Sequence, residues 1–147
     1  MPKVDIAALP VTTGSHYLPP YTQQVANRSW QAVAGGLTQF GANLVTLPPG
    51  TWSSQRHWHS HEDEMLVLLE GEAVLVENDE ETRLGPGDIA CFPAGVANGH
   101  HLLNRSDRPC RFLAIGTDRS DIDQCHYPDI DMHLDPNGFR RKTDGGA

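Results

Sequence analysis

Basic residues are scarce in this chain of 147 residues: 11 lysines and arginines stand against 19 acidic residues, a formal net charge of −8. Apart from Arg140-Arg141-Lys142 they are scattered, so no surface is expected to track a phosphate backbone and no nucleic-acid partner is expected. Long apolar runs are missing as well. None approaches the roughly 20 residues of a membrane span, and Met1-Pro2-Lys3-Val4-Asp5 leads into no apolar signal-peptide core. The expectation is a soluble, cytoplasmic protein with no membrane partner. Cysteine is limited to Cys91, Cys110 and Cys125, an odd count without Cys-x-x-Cys, which argues against a disulfide framework and against a cysteine zinc site. These thiols are expected to be free and buried, above all Cys91 beside Phe92. No segment carries the periodicity of an amphipathic helix.

What is present is a succession of short β-type runs. Ala42 to Leu47 ends at Pro48-Pro49-Gly50; Gln55 to His59, Glu64 to Leu69 and Ala73 to Glu77 follow, the last closed by Asn78-Asp79-Glu80. Then come Glu81 to Leu84, Ile89 to Phe92, His100 to Leu103 and Cys110 to Ile115, separated by Gly, Pro, Asn and Asp turns. Close spacing of short strands points to an all-β barrel or jelly roll rather than to alternating strands and helices. One domain is expected, with a proline-rich irregular N-terminal arm over residues 1–35, a barrel over 36–117 and a C-terminal tail over 118–147. Between Asp118 and Asp135 the tail holds six aspartates without the spacing of a calcium loop, and they are expected to be solvated.

Five of the eight histidines lie in two windows, His57-Trp58-His59-Ser60-His61-Glu62-Asp63-Glu64 and Gly99-His100-His101-Leu102-Leu103-Asn104. Imidazole is the commonest side-chain ligand of transition metals. On one strand His57 and His59 share a face and Glu64 has the opposite parity. Glu64 joins them only if the chain turns at Ser60-His61-Glu62-Asp63, which makes Glu64 the first residue of the next strand and leaves His61 in the loop. In the second window adjacent histidines face opposite sides, and parity does not choose between His100 and His101. His61 and His101 read as polar-face residues, and Trp52, Trp58 and Phe92 as packing.

The pattern Gly50, His57, His59, Glu64, Gly71 resembles the first motif of the cupin family, with one extra residue before the histidines. Gly87-Asp88, Pro93, Gly95, His100 and Asn104 resemble the second, with two extra residues between Gly95 and the histidine. The resemblance spans residues 42–116 and is to single-domain bacterial cupins. It implies a cupin β-barrel, or double-stranded β-helix, holding one divalent metal ion on His57, His59, Glu64 and His100, with His100 preferred because Asn104 stands at the family's offset from it. Mixed nitrogen and oxygen ligands suit iron, manganese, nickel, copper or zinc. The expected function is a metal-dependent enzyme, a dioxygenase, isomerase or lyase, acting on a small oxygen-rich metabolite. The alternative is a non-catalytic small-molecule or metal-binding module. Cupins of this size resemble homodimers, and the arm is a candidate for pairing.

Overall fold

The computed structural model describes residues 2–145. Its strands run in chain order as β1 (Thr12–Thr13), β2 (Ser29–Ala32), β3 (Phe40–Leu47), β4 (Trp58–His59), β5 (Glu64–Glu70), β6 (Ala73–Val76), β7 (Glu81–Leu84), β8 (Ile89–Phe92), β9 (His101–Leu103), β10 (Cys110–Thr117), β11 (Cys125–His126), β12 (His133–Asp135) and β13 (Gly138–Arg140). One short helix, α1 (Lys142–Gly145), follows. No helix among the described residues is long and apolar enough to cross a membrane.

Three antiparallel sheets build a jelly roll: β1-β2-β3-β10-β5-β8, β13-β12-β11-β4 and β7-β6-β9. Alternation along the long strands decides which side chains enter the interior. In the β5–β10 register Leu66 faces Ala114 and Leu68 faces Phe112. These residues join Leu47, Leu75, Leu84, Phe92 and Leu102 in the main core. Burying a leucine of this kind contributes roughly 2 kcal/mol, so the core supplies the rigid frame from which the histidine-bearing strands project.

The motif asparagine has a structural task. Asn104 is fully buried, and its Nδ2 donates to the carbonyls of Leu47 and Arg108, both at 2.8 Å. Its Oδ1 accepts from Ser106 N–H and Ser106 Oγ–H, so the buried amide is satisfied and fixes the loop leading into β10.

Among the described residues both the arm and the tail pack on the barrel. The arm adds β1 and β2 to the large sheet, with Trp30 opposite Val45 of β3. The tail pairs through β11 with β4, placing Cys125 opposite His59 and His126 opposite Trp58. Arm and tail also share a second core, in which Tyr17, Tyr21 and Phe139 pack on Cys125, Tyr127 and Met132. The tail was expected to carry solvated acids. Asp123 corrects that, because its side chain is only 9% exposed and accepts several hydrogen bonds. The apolar residues spaced between the aspartates pull the segment onto the barrel and take Asp123 with them. The thiols need a correction too: Cys91 is exposed on β8, whereas Cys110 and Cys125 are buried. Cys91 pairs with Met65 on the outer face of the sheet, while its neighbour Phe92 points inward.

Gly71 tests the turn between β5 and β6. It has φ +77°, and a Cβ there would sit 2.7 Å from the Pro109 carbonyl oxygen; Gly50 has φ +78° and open space around it. Gly50→Ala is expected to cost about 1 kcal/mol from the backbone conformation alone. Gly71→Ala should cost at least about 2 kcal/mol, since the backbone of the neighbouring turn must also move. Urea unfolding of the two variants checks the order.

Candidate metal centre

Two backbone hydrogen bonds bring the histidine windows together. His57 N–H donates to the His100 carbonyl at 3.2 Å and His100 N–H to the His57 carbonyl at 2.9 Å, an isolated antiparallel bridge. His59 lies in β4, the chain turns over residues 60–63, and Glu64 opens β5. The His59 carbonyl accepts from Gly95 N–H at 2.8 Å, which ties the loop after β8 to the same place.

The three histidines all approach one oxygen of Glu64. Glu64 Oε1 is 3.5 Å from His57 Nε2, 3.3 Å from His59 Nε2 and 2.9 Å from His100 Nε2. Each ring is held from behind through Nδ1. His57 Nδ1 lies 2.9 Å from the Gln55 carbonyl and His100 Nδ1 3.0 Å from the Asn98 carbonyl. A carbonyl only accepts, so both Nδ1 atoms carry the proton and both Nε2 lone pairs face Glu64. His59 Nδ1 lies 2.6 Å from Asp123 Oδ2, which sets the same tautomer. Asp123 Oδ1 is itself held by the backbone N–H groups of His61 and Glu62, at 2.8 and 3.2 Å.

That arrangement places three nitrogen lone pairs against a carboxylate oxygen. One proton relieves only one such contact; a divalent cation relieves all of them. The donor set therefore fits a divalent ion, and the Nδ1 partners are of the kind that orient imidazole ligands. Burial raises the proton affinity of Glu64, but whenever a proton sits on the facing Nε2 atoms the hydrogen bonds from His100 and His57 outweigh it and hold the carboxyl well below the usual range. For His57, burial disfavours the charged ring, and Glu64 more than compensates, so its pKa is raised.

The remaining candidates separate clearly. His61 is exposed, with Nδ1 2.7 Å from Ser60 Oγ. His101 is buried rather than polar-facing, a correction that follows from β9 being covered along its whole length. Its Nδ1 lies 2.8 Å from the Ser54 carbonyl, its ring meets Trp52 edge-on at 4.9 Å, and burial lowers its pKa. Phe92 is packing, as expected, and stacks on the His100 ring at 3.6 Å and 5°, which fixes the plane of that imidazole. Trp58 stacks on His126.

Sequence reasoning missed two neighbours. Asp123 was hidden among the tail aspartates. Cys125 offers Sγ within 4.8 Å of donor atoms of His57 and His59; without a metal, burial pushes its thiol above the usual range, and Tyr127 is its hydrogen-bond partner. His57, Glu64 and His100 line a cavity of about 400 Å³ together with Val45, Leu66 and Phe112.

Residues 43–116 match the Cupin_2 family, described as a cupin domain. A sugar phosphate isomerase of the cupin superfamily from Silicibacter pomeroyi is 43% identical, with 98% of this chain and 94% of that one covered and a TM-score of 0.90. The chain is a cupin. A candidate sugar phosphate isomerase from Acidithiobacillus ferrooxidans is 25% identical over 88% of this cupin and 83% of its own length, with a TM-score of 0.72. A polyketide cyclase from Streptomyces resistomycificus shares the fold at 20% identity and a TM-score of 0.63, covering 80% of this cupin and 79% of itself. Cupins commonly bind a metal, which agrees with the donor chemistry above.

Three substitutions probe the centre. His59→Ala should abolish stoichiometric metal by elemental analysis, and His101→Ala should leave it intact. Asp123→Asn should keep the fold and weaken metal affinity about 10- to 100-fold, read by competition with a chromophoric chelator.

Proposed function

We propose that this cupin is a metal-dependent isomerase of small phosphorylated sugars. The observation that carries the reading is the convergence of His57, His59 and His100 on Glu64 Oε1, with His57, His100 and Glu64 in the wall of an open cavity. Its volume of about 400 Å³ lies in the range of small-molecule sites. The 43% identical relative called a sugar phosphate isomerase supports the substrate class.

A divalent ion bound there supplies Lewis acidity to a carbonyl and its neighbouring hydroxyl. Three neutral imidazoles and one carboxylate leave such a site with a net positive charge, which attracts chelating oxygens. The chain itself holds the geometry. Gln55, Asn98 and Asp123 fix the ligand rings through Nδ1, so no reorganisation is needed when substrate enters. Phe92, Leu66 and Phe112 give the cavity an apolar wall that keeps water from the reacting carbons.

The direct test is proton exchange. Metal-loaded protein incubated in deuterated water with phosphorylated aldoses of three to six carbons should interconvert at least one aldose–ketose pair and place deuterium at the carbon next to the carbonyl, followed by NMR. His59→Ala and chelator-treated protein should fall to background. Absence of exchange on the whole series with fully metal-loaded protein would overturn the isomerase reading.

A further inference from the structure

The same cavity contains a second charged group that the metal centre does not use. Arg28 precedes β2 and lines the cavity with His57, Glu64 and His100. Its guanidinium lies over the rings of Tyr17 at 5.6 Å and Trp30 at 5.2 Å, which hold its plane. Nε donates to the Gly14 carbonyl at 3.3 Å and Nη1 to the Ser53 carbonyl at 2.5 Å. Nη2 makes no hydrogen bond among the described residues.

The charge is unmatched. Arg56, Arg83 and Arg105 each face a carboxylate within 3 Å, at Asp129, Glu72 and Glu81. Arg28 faces none within ion-pair distance among the described residues, although the chain carries a net charge of −8. Ser53, Ser54 and Asn43 line the cavity with it as neutral polar side chains. Ser53 Oγ accepts from Leu102 N–H at 2.9 Å and lies a long 3.5 Å from Ser54 Oγ, so its hydroxyl proton can turn to a ligand oxygen when Ser54 donates across that contact.

We propose that Arg28 is the oxyanion anchor of the cavity and binds the phosphate group of the substrate, with the Ser53 hydroxyl as a second donor. This rests on the isomerase reading for the identity of the substrate, but the anion site itself does not require it. A planar guanidinium with Nη2 unengaged can donate to phosphate or carboxylate oxygens; the extra hydroxyl and amide donors favour the tetrahedral group with more acceptors. Anchoring the phosphate there leaves the carbonyl end of a short sugar free to reach the imidazole–Glu64 site in the same chamber, and that fixes the substrate's direction. Arg28 is thus assigned a specificity-determining role, in addition to tying the arm to the barrel through its two carbonyl bonds.

Inorganic phosphate and acetate are the probes, titrated into the full chain as purified and again after chelator treatment, with Trp30 fluorescence and calorimetry as readouts and circular dichroism confirming the fold. Saturable phosphate binding is expected to survive chelation. Arg28→Gln should weaken it about 10- to 100-fold, Arg28→Lys should weaken it less, and acetate should bind more weakly than phosphate. Equal binding of acetate and phosphate would contradict the phosphate assignment. Phosphate affinity unchanged in Arg28→Gln, or binding that vanishes with the metal, would overturn the anchor. If Arg28→Gln fails to fold, Arg28→Lys decides: affinity equal to wild type for both anions through the pH range of a charged lysine would show that the guanidinium fork plays no part. Failure of the isomerase assay with intact, Arg28-dependent phosphate binding would leave the anion site standing and remove only the reaction.

Discussion

Three imidazole lone pairs and a carboxylate oxygen crowd one point in this protein, and the rest of the structure answers to that constraint. Left alone, such a cluster repels itself. It persists because each ring is gripped from behind, by Gln55, Asn98 and Asp123, in the tautomer that sends Nε2 inward. The His57–His100 backbone bridge sets the distance between the two histidine windows, and the turn over residues 60–63 reverses the parity that would otherwise send Glu64 outward. A divalent ion bound there would turn this repulsion into cohesion.

The residues outside the family match are therefore part of the site. Residues 43–116 carry the cupin likeness, yet Asp123 comes from beyond it and Arg28 from before it. Pairing of β11 with β4 carries Asp123 to the back of His59. The arm reaches the cavity by adding β2 to the edge of β3, and the shared core of Tyr17, Tyr127 and Met132 locks arm and tail to each other. This explains how a likeness to the relative from Silicibacter pomeroyi extends over 98% of the chain rather than over the barrel alone.

Much of this was legible in the residues. The runs Glu81 to Leu84 and Ile89 to Phe92 coincide with β7 and β8, because alternation and turn residues bound them on both sides. Parity alone required the turn before Glu64. What composition hid were groups whose environment is set by distant partners. Asp123 looks like any aspartate of an acidic tail until β11 docks, and Cys91 looks buried beside Phe92 until the pleat turns the two to opposite faces. His101 looks polar because nothing local announces that Trp52 will lie against it. Arg28 carried no signal at all, since its meaning lies in a cavity wall built from six strands and the loops between them.

The account stands on one set of donor atoms, and X-ray absorption at the metal edge of the purified protein reads that set directly. Three imidazole nitrogens and carboxylate or solvent oxygen at about 2.0–2.2 Å, with no sulfur, is the predicted first coordination sphere. A sulfur scatterer near 2.3 Å, which would implicate Cys125, or a protein that retains no divalent metal under conditions where it is fully folded, would contradict it.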